Sequence, residues 1–443
     1  MSDEFATNLA HFVRRVLGGT GQPENLHRLT GGANMESWSF DYDGNGYVLR
    51  HSPSADLMAG RSYGHDVEAA VVRAAFAAGV KAPEIVDEVD SSDNLGTGYL
   101  MHRVEAEVNP SKILANPPPA LLADFARELA AIHAVPIGAL PTLPETNAAS
   151  LLAEMKERFI GFGGDRPVMA LAFKWLEDHV PTPAEPVLLH GDFRMGNIMA
   201  VANGLAAVLD WELAHLGDRH QDLAFGCINS WRFGHIDRPA FGVGQLEEYW
   251  VGYARESGVT VDPERFHWWL VYSTLWWGVC CLQMADIWRS GLDAGLERAV
   301  IGRRTSETEI DLLMLLEDDA PVDERCSINL PKQAKVRQLG EPSTAEMLEA
   351  LASWIEADVK PTAQGRDRFM AAVALNALGM LQRETAGPAS IHDQALSDDL
   401  LAGRKSLATP GLLAKLKTQS LAKLAADQPK YSALAAATQK WSA

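Results

Sequence analysis

Cysteine is scarce in this chain. Cys227, Cys280, Cys281 and Cys326 are all there are in 443 residues, and no two form a CxxC pair. The adjacent Cys280-Cys281 lies in an apolar run and reads as core. A disulfide framework or a zinc ribbon is argued against, and a reducing cytoplasmic setting is expected. Basic charge is also in short supply. Lysine and arginine total 39 against 58 aspartates and glutamates, a formal net charge of −19. Nucleic acid and anionic membrane surfaces need basic patches, so neither is expected as a partner. The opening Met-Ser-Asp-Glu has no basic segment followed by an apolar one, so no secretory leader is expected. The stretch Phe266 to Ala285 lacks Asp, Glu, Lys and Arg over 20 residues, enough to span a bilayer. It holds His267, Gln283 and four tryptophans, however, with Asp286 and Arg289 close behind. A buried core helix is the expectation.

What is present is an ordinary globular composition, 47% hydrophobic and 22% charged. The length suits two or three compact units. Trp38 to Tyr42 and Tyr47 to Arg50 predict strands joined by the turn Asp43-Gly44-Asn45-Gly46. Arg61 to Ala78 predicts a helix stopped by Gly79, and Lys81 to Val89 and Gly98 to Val104 predict further strands. From Pro119 the pattern is mainly helical, except for Val187 to Trp211, which reads as strand, loop, strand, strand. Asp318 to Ser343 is rich in proline and charge and reads as a linker. Thr344 to Ala357, Arg366 to Glu384, Pro410 to Ala425 and Lys430 to Trp441 predict a small helical bundle. In the second of these, Phe369, Val373, Asn376 and Met380 share a face, so Asn376 is expected to be a buried, hydrogen-bonded amide. The fold class expected is α+β. The domains expected are a mixed lobe at 1–104, a helical lobe at 105–320, a linker at 321–343 and a helical domain at 344–443.

The chemistry concentrates in Val187-Leu-Leu-His190-Gly-Asp192-Phe-Arg194-Met-Gly-Asn197, followed by Leu209-Asp210-Trp-Glu212. Phosphoryl transfer asks a protein to align a nucleophile and neutralise phosphate charge. One carboxylate must accept the hydroxyl proton, and hard oxygen ligands must hold Mg²⁺. Asp192 and Asn197 stand five apart, the Asp-to-Asn spacing of the protein-kinase catalytic loop. Asp210 follows a short apolar strand, where a second metal-binding carboxylate belongs.

The motif resembles the aminoglycoside phosphotransferase and choline kinase superfamily of small-molecule kinases. It differs from protein kinases in having Gly191 where they carry Arg and in lacking a GxGxxG loop. The resemblance covers about residues 20 to 320 and implies a bilobal protein-kinase-like fold, with ATP in the cleft. It implies that Asp192 is the catalytic base and that Asn197 and Asp210 are the Mg²⁺ ligands. His190, Glu212 and Asp222 take supporting positions. On the nucleotide side it points to Gly31 and Gly32 in a loop before the first clear strand. The first lysine of the chain is Lys81, so Arg50 takes the place of the phosphate-clamp lysine, with Glu68 as its partner. Met101, His102 and Val104 fall where the interlobe hinge would read adenine.

His190-Gly-Asp-Phe-Arg194 and Leu209-Asp-Trp-Glu-Leu-Ala-His-Leu-Gly-Asp218 further resemble the kinase-like domain fused to certain acyl-CoA dehydrogenases. That branch is linked to phosphorylation of 4-hydroxyacyl-CoA. The tail from about Pro342, through Phe369 to Glu384, resembles a helical domain of unknown function found beside such kinases. The acceptor implied is a small-molecule hydroxyl, with a CoA thioester the leading choice. Trp231, Trp268, Trp269, Trp276 and Trp277 are candidates for an acyl pocket, of which Trp231 and Trp277 lead. Arg194, Arg219, Arg232 and Arg289 are candidates for CoA phosphates, Arg194 foremost. Two alternatives stand beside this: an aminoglycoside or amino-alcohol (choline- or homoserine-like) kinase, and an inactive kinase-fold binding protein. The intact Asp192, Asn197 and Asp210 argue against the last. The oligomeric state stays open, a homo-oligomer included.

Overall fold

The structure is a computed structural model that describes residues 3–29, 36–52, 61–293, 295–329, 344–384 and 391–442. The expected Gly31-Gly32 loop lies outside the described residues. The first lobe is a five-stranded antiparallel sheet in the order β1-β2-β3-β5-β4. Its strands are β1 (Glu24–Arg28), β2 (Glu36–Tyr42), β3 (Asn45–Ser52), β4 (Ile85–Glu88) and β5 (Thr97–His102). The β2–β3 hairpin closes on Asp43 and Gly44, both at positive φ (47° and 80°), the geometry that matches strand twist. Two helices cover the sheet. Helix α1 (Asp3–Leu17), with no counterpart in the sequence reading, presents Leu9, Phe12 and Val13 at helical spacing to Phe40, Leu49 and Leu100. Helix α2 (His65–Ala77) packs Val72 and Ala75 with Tyr99 and Ile85 in the main core.

The second lobe is helical around small strand pairs. Its helices are α3 (Pro110–Ala115), α4 (Leu121–His133), α5 (Ala148–Gly161), α6 (Pro167–Asp178), α7 (Arg219–Phe225), α8 (Leu246–Ser257), α9 (Pro263–Arg289), α10 (Leu296–Gly302) and α11 (Thr305–Leu316). Strand β6 (Val187–Leu189) pairs with β9 (His215–Gly217), and β7 (Ile198–Val201) pairs with β8 (Gly204–Val208). The charge-free run is the buried heart of α9, which starts sharply because Asp262 caps the N–H groups of Glu264 and Arg265 and Pro263 opens the helix. No helix among the described residues is long and apolar enough to cross a membrane. Lys81 ties the lobes together, its Nζ reaching Leu205 O at 2.7 Å and its N–H reaching Glu128 Oε2 at 2.9 Å.

The C-terminal helices are α12 (Thr344–Trp354), α13 (Gly365–Glu384), α14 (Gln394–Leu401), α15 (Leu412–Asp427) and α16 (Ser432–Trp441). Asn376, expected to be buried, is exposed, and so is Phe369 at 55%. Met380 on the same face is buried and Val373 half-buried, so the stripe closes only toward the end of α13. The tail is anchored on α11 and its end. Lys417, fully buried, pairs with Glu317, which also accepts from Trp441 Nε1 at 2.9 Å. Residues 321–329 of the expected linker fold against the tail, with Ile328 N–H donating to Trp441 O at 2.9 Å.

Asp311 on α11 is fully buried between the lobe and the tail. It accepts from Tyr431 Oη at 2.5 Å and Asn229 Nδ2 at 3.0 Å. Burial pushes its carboxyl up to about 7, against the pull of those two donors. A group that keeps its proton longer in the native state stabilises it at low pH, and loses that contribution as pH rises to the native value. The stability of the wild type relative to Asp311→Asn is therefore expected to fall between pH 4 and about 7 and to level off above. Urea unfolding of both proteins across that range measures it.

Candidate active site

Strand β6 delivers His190, Gly191 and Asp192 to the lobe junction. Gly191 sits at φ +81°, and a Cβ there would lie 2.3 Å from Leu213 O, so the turn requires glycine. Asp222, on α7, fixes this turn from behind. Its fully buried carboxylate accepts from His190 N–H at 2.6 Å and Gly191 N–H at 2.9 Å. Burial pushes Asp222 up, but His133, whose Nε2 lies 3.5 Å away, and these N–H groups hold it below the usual carboxylate range. Tyr253 Oη stands 2.8 Å from His133 Nδ1 and orients that ring.

The His190 ring bridges the two chemical segments. Its Nε2 contacts Leu209 O at 3.0 Å, and its Nδ1 accepts from Asp192 N–H at 3.2 Å. Those contacts require the proton on Nε2, and burial lowers the ring's basicity and keeps it neutral. Asn197 N–H closes on Arg194 O at 2.9 Å, and Asn197 O accepts from Leu209 N–H at 2.8 Å. The loop is thereby stitched to the strand end that carries Asp210. Asp210 adopts φ +69°, an uncommon conformation for a residue with a side chain.

The Asp192 carboxylate is held on both oxygens. Arg194 Nε donates to Oδ1 at 2.7 Å and Asn197 Nδ2 to Oδ2 at 2.6 Å. Burial raises its pKa to about 6, with Arg194 opposing. Across the cleft, Arg50 gathers three carboxylates. Its Nε lies 3.1 Å from Glu68 Oε1, and its Nη2 lies 2.6 Å from Asp210 Oδ1 and 2.9 Å from Glu212 Oε2. Glu68 is buried and further fixed by Tyr99 Oη at 2.9 Å. Burial raises the Glu68 pKa against the pull of Arg50. Arg61, which the sequence reading passed over, joins through ion pairs with Glu212 and Glu68. No local pattern marks it, because both partners are distant in the chain or on the following helix.

The donor chemistry suits Mg²⁺. The Asn197 amide nitrogen is committed to Asp192, which leaves its side-chain oxygen able to meet a hard cation beside Asp210. Two arginines, Arg50 and Arg61, face three carboxyl groups, those of Glu68, Asp210 and Glu212, so acidic groups outnumber basic ones in the cluster. Among the described residues no set of three or more His, Cys, Asp or Glu forms a metal cage.

Arg194 lies over Trp231, 4.6 Å from the ring centroid, and Trp231 packs on Trp277 at 4.7 Å. Trp268 and Trp269 are buried with their N–H groups bonded to Leu176 O and Asp218 Oδ2, so they are core and not pocket wall. Arg232, a candidate for CoA phosphate, is buried and donates to Cys227 O at 2.8 Å. At the hinge, His102 N–H is taken by Glu84 O and Arg103 N–H by Gly46 O, each at 2.9 Å, while Met101 is half-buried. Val104 is the second residue after the strand. A cleft of about 370 Å³ opens beside Gly191, with Arg61, Glu154, Glu212, Tyr272 and Trp276 on its walls.

This arrangement matches the profile of the phosphotransferase enzyme family over residues 25–259. The chain belongs to that family. That family is one of phosphotransferase enzymes. Residues 361–431 match a domain of unknown function, DUF6285. Mouse acyl-CoA dehydrogenase family member 10 is 26% identical over 283 residues, which cover 58% of this chain and 26% of that protein. Human acyl-CoA dehydrogenase family member 11 is 26% identical over 254 residues, 51% of this chain and 32% of that protein. The chain thus spans about a quarter to a third of the length of these relatives. A Ralstonia eutropha protein of aminoglycoside phosphotransferase type shares the fold, with a TM-score of 0.55, 20% identity and coverage of 70% of this chain and 98% of its own.

Asp222→Asn turns one acceptor oxygen into a donor facing a buried N–H. It is expected to cost about 2 kcal/mol of stability, the desolvation of one unpaired buried group, measured by urea unfolding at pH 7.

Proposed function

We propose that the protein transfers the terminal phosphate of ATP to the hydroxyl of a hydroxyacyl-CoA, of 4-hydroxyacyl type. The observation that carries the phosphotransfer chemistry is the doubly held Asp192 carboxylate beside the Asn197–Asp210 pair. Asp192 accepts the proton of the acceptor hydroxyl as its oxygen bonds to the γ-phosphorus and the bond to the ADP oxygen breaks. A base with a pKa near 6 stays ionised at neutral pH and still takes a proton readily. Asn197 fixes its orientation and Asp222 fixes the loop. Arg50, braced by Glu68, clamps the nucleotide phosphates, and Arg61 holds Glu212 in place. Met101, His102 and Val104 border the adenine. A Mg²⁺ ion held by Asn197 and Asp210 would neutralise phosphate charge.

The CoA thioester is supported by the relatives, which are named for acyl-CoA, and by the aromatic face of Trp276 on the cleft wall; Trp231, expected in the pocket, is buried under Arg194 and against Trp277. Phosphorylation makes the hydroxyl a leaving group, a useful step before further acyl-chain chemistry. A second reading, a kinase for aminoglycosides or amino alcohols, is favoured by one observation. The exposed Glu154 places a carboxylate on the cleft wall, where a cationic acceptor would pair.

Incubation with MgATP and a panel of hydroxyacyl-CoAs, aminoglycosides and choline, read by mass spectrometry, separates the two. A phosphate adduct on a 4-hydroxyacyl-CoA is expected, and none on any hydroxyacyl-CoA would sink the leading reading. Asp192→Asn is expected to lower turnover by about 100-fold or more while nucleotide affinity stays within about threefold. Turnover within about tenfold of wild type would remove Asp192 from the role of base. Arg50→Lys keeps the charge but cannot span Glu68, Asp210 and Glu212, so the KM for ATP is expected to rise about tenfold in steady-state assays.

A further inference from the structure

The C-terminal tail reaches the catalytic loop through one short turn. Residues Asn229–Trp231 form a single 3₁₀ turn that faces both ways. On one side, Ser230 Oγ lies 3.3 Å from Tyr431 Oη, and Ser432 Oγ donates to Asn229 Oδ1 at 3.3 Å. Tyr431 and Asn229 also share the buried carboxylate of Asp311. On the other side, Trp231 carries the Arg194 guanidinium, whose Nε grips Asp192 Oδ1 at 2.7 Å. The Trp231 indole N–H has no hydrogen-bond partner, so the ring is fixed by its neighbours in the turn and by its packing on Trp277. A shift of the turn is thus transmitted to the plane on which Arg194 rests.

We propose that Tyr431 of the tail is a positioning residue for the catalytic loop, acting through the Asn229–Trp231 turn and the Trp231–Arg194 stack. The inference rests on the reading of Asp192 as the base, and it gives the tail a place in the chemistry. Tyr431 touches no reacting group. Its hydroxyl holds the turn, the turn holds Trp231, and the indole face holds Arg194 where it steers one oxygen of Asp192. A second link runs in parallel. Arg303 pairs with Asp427 of the tail at 3.1 Å, and its neighbour Arg304 lies 5.3 Å from the Trp277 ring centroid.

The test is a double-mutant cycle in the full-length chain, which separates coupling from two independent injuries. Turnover is read as phosphate released from MgATP with water as acceptor. Tyr431→Phe is expected to lower kcat about fivefold, with the KM for ATP within about twofold. In the Arg194→Gln background the same change is expected to cost less than about twofold, since the link is already cut. Equal losses in both backgrounds would overturn the proposal. So would an unchanged kcat accompanied only by a lower unfolding temperature, the signature of a purely structural contact. Ser230→Ala cuts the same link without touching Asp311, and it decides the matter if Tyr431→Phe does not fold. Should the wild type release no phosphate to water, that bears on the acceptor and not on the link, and fluorine NMR of 5-fluorotryptophan protein tests the link directly. The Trp231 resonance, assigned with Trp231→Phe, must then shift in Tyr431→Phe, and an unmoved resonance overturns the proposal.

Discussion

The active site depends on one buried carboxylate that touches no substrate. Asp222 accepts two consecutive backbone N–H groups, those of His190 and Gly191, and so fixes a turn that only glycine can make. Everything downstream inherits its position from that turn. His190 is held so that its ring can bond Leu209 O and brace Asp192 N–H, which ties Asp192 to the segment after β8 that carries Asp210. A charge buried without partners would be strongly destabilising. Here His133 and the two N–H groups satisfy it, and the reward is a loop whose geometry is set before any ligand arrives.

The opposite wall is organised by a cation in place of an anion. Arg50 extends from β3 to Glu68 on the helix above and to Asp210 and Glu212 across the cleft. A lysine ammonium is a point charge and could not address three carboxylates on different elements at once, whereas a planar guanidinium with five donors can. The absence of lysine from the first 80 residues is therefore compensated by the geometry of one arginine and the support of Arg61.

The legible part of the site was the part whose residues are close in sequence. Asp192, Asn197 and Asp210 lie within 19 residues, and a loop followed by a hairpin leaves few ways to arrange them. The strands of the small lobe were equally plain, since turn chemistry and period-2 patterning are local. What could not be read were relations between distant elements. Arg61 carries no motif, and its meaning comes only from Glu212, 151 residues away. Arg232 and Asn376 were misjudged for the same reason in opposite directions. A charged residue was buried by an acceptor at Cys227 O, and an amide on an apolar stripe was left uncovered. Spacing defines faces, and only packing decides which faces are closed.

The tail shows why a separable sequence segment need not be a separable structure. Its helices match a family profile of their own, yet α11 serves both units: Asp311 meets Tyr431, and Glu317 at its end meets Lys417 and Trp441. These are buried polar contacts, and removing one partner leaves the other charged or unpaired in a dry setting, which is far more costly than losing an exposed pair. Such contacts specify one docking geometry, because a small slide of the tail would strand several polar groups at once. The same rigidity that seats the tail also fixes the turn at Asn229–Trp231. A domain docked by apolar contacts alone could drift without consequence for Arg194, and this one cannot.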